Sequence, residues 1–315
     1  MKIEDIKATQ ILDSRGNPTL EVGVRVKGEW ANFCVPSGAS TGTFEALELR
    51  DDNKTFDGMG VQKAIGNVQG SIRDALVGKD CTNQKEVDQI LIKLDGTKNK
   101  SKLGANAILG ASGAVSRAAA QTLELPLYRY LRTIFEQDGV WQPDLKIGKN
   151  SYILPKMFFN ILNGGKHAEN NLDIQETMIV PQRAGIEENI CIASEIYHSL
   201  KEVIKNRNLS VGLGDEGGFA PDLESNTKAL DLVLEAIDKT GYKPGKDVCL
   251  ALDVAASELY NADKDEKYIL ASENIGLSAT QMVSFYKELI STYPIVSIED
   301  GLAEEDWGGW QMMTA

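Results

Sequence analysis

Apolar and polar residues alternate from Ile3 onward, which predicts an antiparallel meander over the first 36 residues. It runs from Ile3 to Leu12, turns through the polar run DSRGNP, places Leu20, Val22, Val24 and Val26 on one face, and returns from Trp30 to Val35. The period then lengthens. Val61, Ile65, Val68, Ile72 and Leu76 step by three or four residues, and Val87, Ile90, Leu91 and Leu94 repeat that spacing behind a cap at Asn83, so two helices are expected. Between Leu103 and Leu123 the chain is so rich in Ala, Gly and Ser that a helix there can approach neighbouring backbones closely. Strands followed by helices make an α+β domain.

Near Gln142 to Asn150 the sequence turns polar and loses its period, which marks a linker and divides the chain into domains 1–145 and 146–315. Beyond it strands and helices alternate. Strand candidates are Leu154 to Leu162, Gln175 to Val180, Val211 to Leu213, Val248 to Leu252 and Ile295 to Ile298. One helix carries the stripe Ile186, Ile190, Ala193, Tyr197, Leu200 and Ile204; another runs from Ala229 through Val233 to Ile237 and stops before Gly241; a third opens on the capping box of Ser278 and Gln281. Alternation of this kind implies parallel strands joined by helical crossovers, and on pattern alone both a doubly wound sheet and a (β/α)8 barrel fit.

Composition narrows the function classes. The 315 residues carry 33 Lys and Arg against 46 Asp and Glu, a net charge of −13, which argues against a nucleic-acid partner because binding phosphate needs a basic face. The opening MKIEDIK lacks the apolar run of a signal peptide and no stretch is long and apolar enough for a membrane helix, so a cytoplasmic location without a membrane span is expected. Only two histidines occur, which rules out a three-histidine zinc site, and the four cysteines are far apart. Three of them, Cys34, Cys191 and Cys249, stand among apolar neighbours and are expected to be buried thiols.

The chemistry shows in what ends the strands. VCLAL runs into Asp253, PIVSI into Glu299 and Asp300, LSVGLG into Asp215 and Glu216, and LDIQETMIV carries Glu176. Carboxyl ends of strands form the functional face of parallel α/β folds, so acids on neighbouring strands can share one ion. No Lys or Arg stands within several residues of Asp253 or Glu299, and Mg²⁺ with oxygen ligands is the natural partner. The blander alternative is that each acid caps the helix that follows it. Three glycine-rich loops add candidates. SGAST at Ser37 to Thr41 lacks the lysine of a P-loop; GLGDEG formally matches a dinucleotide fingerprint but puts Asp215 and Glu216 where a pyrophosphate would approach, and is rejected; NGGKHAENN places His167 among polar groups. His198, one step off a helix stripe, reads as exposed and inert.

DSRGNPTLEV, SGASTG, LGANAILG, NGGKHAENN, GDEGGFAP, LALDVAASE and SIEDGLAEEDW follow in order, and from residue 3 onward the chain resembles enolase (phosphopyruvate hydratase), on the bacterial side of that family. Glu169 and Thr177 depart from the usual residues. The resemblance implies an N-terminal α+β domain followed by an enolase-type TIM (β/α)8 barrel, and the reversible dehydration of 2-phosphoglycerate to phosphoenolpyruvate with two Mg²⁺ per active site. It also implies a homodimer. Carried over residue by residue, Glu216 is the general acid assisted by Glu176 and His167; Gln175, Ala39 and Ser40 meet substrate; Asp253 and Glu299 hold the first Mg²⁺ and Ser40 the second. A barrel of this type takes about 250 residues, more than 146–315 provides. The chain is therefore expected to be a fragment, without the lysine base and unable to turn over by itself. A non-catalytic binding protein on the same scaffold, or another lyase of the superfamily, is the alternative.

Overall fold

The computed structural model describes residues 1–38, 41–52, 54–137, 152–261 and 267–315, so the linker 142–150, Ala39 and Ser40 lie outside the described residues. The chain divides into two compact units, Met1–Ser151 and Tyr152–Ala315.

In the first unit β1 (Asp5–Leu12), β2 (Pro18–Val26) and β3 (Glu29–Cys34) form the antiparallel meander, in the order β1-β2-β3. Leu20, Val22, Val24 and Val26 turn one face of β2 inward and are at most 3% exposed. Against them pack α1 (Gln62–Asn67), a π-turn (Val68–Ile72), α2 (Arg73–Leu76), α3 (Gln84–Asp95), α4 (Ala105–Thr122) and α5 (Leu127–Gln137). Asn83 caps α3 by accepting the Glu86 N–H. The small residues of α4 allow the close approach read from the sequence: a Cβ added at Gly110 would lie 2.5 Å from Val22 Cγ2 and 3.0 Å from Val35 Cγ2. One cysteine expectation fails here. Cys34 is exposed, because its register partner is Glu21 on the outer face, whereas Cys81 is buried.

The second unit holds a four-stranded sheet in the order β10-β6-β5-β4, made of β4 (Phe159–Asn163), β5 (Glu176–Pro181), β6 (Val248–Asp253) and β10 (Ile295–Glu299). Only β6 and β10 run parallel; β4–β5 and β5–β6 are antiparallel. The expectation of uniformly parallel strands is corrected, for two reasons. The link from β4 to β5 contains a single short turn (Gly165–His167) and no helical crossover, which parallel neighbours require. Val211 to Leu213 forms no strand, only an isolated bridge at Leu213, so α6 (Ile186–Asn206) and α7 (Asn226–Lys239) follow one another and pack together. Two successive helical traverses return the chain reversed, and β6 enters antiparallel to β5.

The helix side of the sheet is the larger core, with Ile179, Leu250, Leu252 and Ile295 packed against α6, α7 and α8 (Ala279–Thr292). Met178, Val180, Cys249 and Ala251 form a separate layer on the opposite face. The buried stripe of α6 is Asn189, Ile192, Ala193, Ile196, Leu200, Val203 and Ile204; Ile186 and Ile190 are half exposed at its start, so the face is rotated from the one read in the sequence. Cys191 lies on the exposed side of that helix for the same reason. A small sheet of β7 (Tyr260–Asn261), β8 (Lys267–Leu270) and β9 (Ile275–Leu277) precedes α8, whose Ser278–Gln281 capping box is formed, and α9 (Trp307–Thr314) closes the described chain.

Two predictions follow from packing in the first unit. Gly110→Ala should lower stability by about 1–3 kcal/mol through overpacking. In contrast Gly66→Ala in α1, where an added Cβ meets nothing within 4 Å, should raise it by about 0.5–1 kcal/mol; a urea midpoint that rises for Gly110→Ala or falls for Gly66→Ala would refute the corresponding prediction. Asp95, 2% exposed at the end of α3, accepts N–H bonds from Thr97 at 2.9 Å and Leu103 at 2.8 Å. Burial raises its pKa, but the hydrogen bond from the Thr97 hydroxyl together with these N–H bonds outweighs it and holds the carboxyl below its ordinary value. Its contribution is therefore complete above the unfolded value of about 3.9 and is lost as pH falls through the lower folded value. Asp95→Asn should destabilise the chain at pH 7 and flatten the acid limb of its stability curve.

Candidate active site

The reversal of β5 decides where the carboxylates meet. Because β5 is antiparallel to β4 and β6, its amino end shares an edge of the sheet with their carboxyl ends. The register there pairs Asn163 with Glu176, Glu176 with Asp253, and Asp253 with Glu299. Register partners point to the same face, so three carboxylates and one carboxamide form a row across four strands about 4.8 Å apart. Glu176 thus opens its strand instead of ending it. None of these acids, nor Glu216, caps a helix: the helices of this unit are capped at Gly185, Ser225, Ser278 and Asp306.

Electrostatics along the row are those of crowded like charges. Partial burial, then the neighbouring Asp253, push the Glu176 carboxyl above its ordinary range, with His167 offsetting part of the rise. Burial also raises Asp253, to which the nearby Asp300 adds. Glu299, exposed at the end of the row, is raised by what desolvation it has and by Asp253 and Asp300. No Lys or Arg pairs with any of the three among the described residues. Asp253 has one donor on each oxygen, Ala255 N–H at 3.1 Å and Gln175 Nε2 at 3.3 Å, while the Glu299 carboxylate accepts none.

His167 lies beside the row in a turn that only glycines permit. Gly165 has φ +54°, and a Cβ on Gly164 would stand 2.6 Å from Ile174 O. The imidazole is 7% exposed; its Nδ1 lies 3.3 Å from Glu176 Oε1 but out of line for a hydrogen bond, so both ring nitrogens are buried without a partner. Lys166, on the same turn, forms an exposed ion pair with Glu258.

Glu216 sits in an exposed turn seated on β4 and on the histidine turn. Asp215 N–H donates to His167 O at 2.8 Å, Gly218 N–H to Asn163 Oδ1 at 2.8 Å, and Phe219 N–H to Ile161 O at 2.9 Å. Gly214 is required by closeness, since an added Cβ would meet His167 O at 2.4 Å. No helix follows this turn until Asn226, in keeping with rejection of the dinucleotide reading. Glu216 adds to the charge felt by Glu176, so the structure brings together Glu176, His167, Gln175, Asp253, Glu299 and Glu216 in one unit. Ala39 and Ser40 are not described. His198 is exposed on α6.

Sequence reasoning missed Asn163. Fully buried, it accepts from Gly218 N–H and donates to Gln175 O at 3.3 Å, linking the Glu216 turn to the start of β5. Its place at the end of an apolar strand before two glycines was the available signal.

The donor set suits a hard divalent cation. Among the described residues no three of His, Cys, Asp and Glu converge as a closed metal cage. Mg²⁺, however, takes one or two carboxylates and keeps waters or substrate oxygens for the rest, and Asp253 and Glu299, register partners with no Lys or Arg beside them, are the residues that could hold such an ion.

Residues 3–131 match the family model described as the enolase N-terminal domain, and residues 151–315 match the one described as the enolase C-terminal TIM barrel domain.

Asn163→Ala would leave the buried Gly218 N–H without an acceptor, and should cost about 1–3 kcal/mol of stability. The urea midpoint should fall with its slope unchanged; an unaltered midpoint would remove Asn163 as the tie between the two turns.

Proposed function

The chain belongs to the enolase family, and from that premise we propose that its acidic sheet edge serves the Mg²⁺-dependent, reversible dehydration of 2-phosphoglycerate to phosphoenolpyruvate and water. The observation that carries this reading is the row Glu176, Asp253, Glu299 with no Lys or Arg partner among the described residues, flanked by a buried imidazole whose Nδ1 lies 3.3 Å from Glu176 Oε1.

Asp253 and Glu299 would hold the first Mg²⁺. When bound, the metal ions supply positive charge against the second negative charge that builds on the substrate carboxylate as its neighbouring proton leaves. Glu216, on an exposed turn with backbone fixed to His167 and β4, gives its proton to the departing C3 hydroxyl. Glu176 and His167 stand beside it as a hydrogen-bonding pair for that hydroxyl, and burial favours the protonated form of Glu176. Gln175, tied to Asp253, meets substrate from the amino end of β5. By family analogy alone, Ala39 and Ser40 would meet substrate and Ser40 would hold the second Mg²⁺. The proton-abstracting base is not assigned to a residue of this chain. A glycolytic role, a cytoplasmic location and a homodimer belong to the same reading; no helix among the described residues is long and apolar enough to cross a membrane.

Calorimetry with Mg²⁺ and 2-phosphoglycerate tests the reading without depending on the base. Cation binding is expected, and Asp253→Asn and Glu299→Gln should each weaken it by at least about 10-fold. In a version of the protein that turns over 2-phosphoglycerate, followed by absorbance of phosphoenolpyruvate, Glu216→Gln should lower the rate about 10²–10⁴-fold with cation affinity kept. Cation binding absent, or indifferent to both carboxylate variants, would overturn the proposal.

A further inference from the structure

Tyr197 is half-buried on α6, and its hydroxyl reaches out of the helix to donate to Gly217 O at 2.9 Å, one residue beyond Glu216. Its ring stacks on Phe219, with centroids 4.5 Å apart and planes 23° apart, and Phe219 is 1% exposed. That phenylalanine is itself fixed to β4, because its N–H donates to Ile161 O and its carbonyl accepts the Asn163 N–H, both at 2.9 Å. A side chain of α6 therefore grips the Glu216 turn against the sheet.

The grip falls on the peptide group that is freest to turn. A peptide between two glycines rotates by opposite changes in ψ of the first and φ of the second, and no Cβ stands in the way. Gly217–Gly218 is such a peptide, directly after Glu216, and Gly217 already stands at φ +81°. Both of its polar ends are taken: the Gly218 N–H by Asn163 Oδ1 at 2.8 Å, and the Gly217 carbonyl by Tyr197. Rotation would break both bonds at once. On the other side of Glu216, Asp215 N–H is tied to His167 O at 2.8 Å, so Glu216 is carried between two anchored points of the backbone. Its own side chain is exposed, and where the carboxyl stands depends on those anchors.

We propose that Tyr197 is a positioning residue for Glu216: its hydroxyl locks the Gly217–Gly218 peptide and so holds the turn that presents the Glu216 carboxyl to bound 2-phosphoglycerate. With the lock released, the turn samples other placements and Glu216 moves with it. The inference rests on the reading of Glu216 as the proton donor given above.

Two measurements on the whole chain separate the lock from its role. Without ligand, hydrogen exchange of the Gly218 amide, followed by nuclear magnetic resonance, should quicken about 2- to 10-fold in Tyr197→Phe, which deletes the hydroxyl and keeps the ring on Phe219. Tyr242→Phe deletes a hydroxyl bonded to Glu195 on the same helix, and should leave that exchange unchanged. With ligand, calorimetry at saturating Mg²⁺ follows 2-phosphoglycerate binding through a double-mutant cycle. Tyr197→Phe and Glu216→Ala should each weaken binding about 2- to 10-fold. Once Glu216 is replaced, Tyr197→Phe should cost nothing further, because a residue that acts through another is coupled to it. A tyrosine with a merely structural role lowers affinity by the same factor in both backgrounds, and that result overturns the proposal. So does Gly218 exchange that is unchanged in Tyr197→Phe, or binding by that variant equal to the parent's. A parent chain that binds no 2-phosphoglycerate, or a Glu216→Ala chain that binds it as the parent does, is a different result: it overturns the reading of Glu216, and the positioning role with it.

Discussion

Repulsion between carboxylates held at neighbouring strand ends is the constraint around which the second unit is arranged. Two unit charges about 5 Å apart repel by about 3 kcal/mol where the effective dielectric is about 20. Glu176 and Asp253 are half-buried register partners, and neither has a Lys or Arg beside it. A structural carboxylate looks different. Asp51 accepts the Gln62 and Lys63 N–H groups at the start of α1, at 2.9 and 2.8 Å. Asp173 takes Ala271 N–H and Asn226 Nδ2 at 2.8 and 2.9 Å, tying the link before β5 to α7 and to the residue that follows β8. These acids are satisfied by several fold-borne donors, whereas among the described residues Glu299 accepts none and Asp253 only one on each oxygen. That difference in donors, more than acidity itself, separates the site from the rest of the 46 carboxylates.

Chain direction turns the constraint into a site. If β5 ran parallel to β6, Glu176 would sit at the far edge of the sheet from Asp253. Consecutive α6 and α7 impose the reversal, and the helix-free link from β4 to β5 imposes it again. That same link is short enough to put the histidine turn against β5, where Gly164 and Gly165 press on residues 172–175. The Glu216 turn, lying between the two helices in sequence, is then free to bond to β4 and to the backbone of His167. Topology, glycine placement and charge are therefore one arrangement seen at three scales.

Much of this was legible in the residues, and the failures have physical causes. The meander, α3 with its Asn83 cap, α7 and the Ser278 capping box follow from local period and cap chemistry, which the tertiary structure did not oppose. Acids at the ends of β6 and β10 were visible because an apolar run stops at each. Strand direction was not visible: Val211 to Leu213 has the composition of a strand, but it has no neighbouring strand to pair with beyond one bridge, and direction in β6 depends on that failure. Cys34 and Cys191 misled because apolar neighbours in sequence do not share a face, in a strand or in a helix. The α6 stripe was misread because the buried face runs through Asn189, Ile192 and Ile196, which turns Ile186 and Ile190 toward solvent. Positive φ at Ala255 and Asp300 left no trace, since neither is the glycine that normally signals it.

The edge also links function to stability. Crowded carboxylates and two left-handed residues both weigh against the folded state in the absence of a counter-charge. A cation that binds only the folded chain adds RT ln(1 + [L]/Kd), about 2.7 kcal/mol at a hundred times Kd. Were a cation held there, as proposed above, part of that gain would offset repulsion already present. Filling the edge with a lysine would remove the repulsion permanently. Retaining an unneutralised row on a well-packed sheet, with Ile179, Leu250 and Leu252 buried beneath it, lets the apolar core carry the stability that the site withholds.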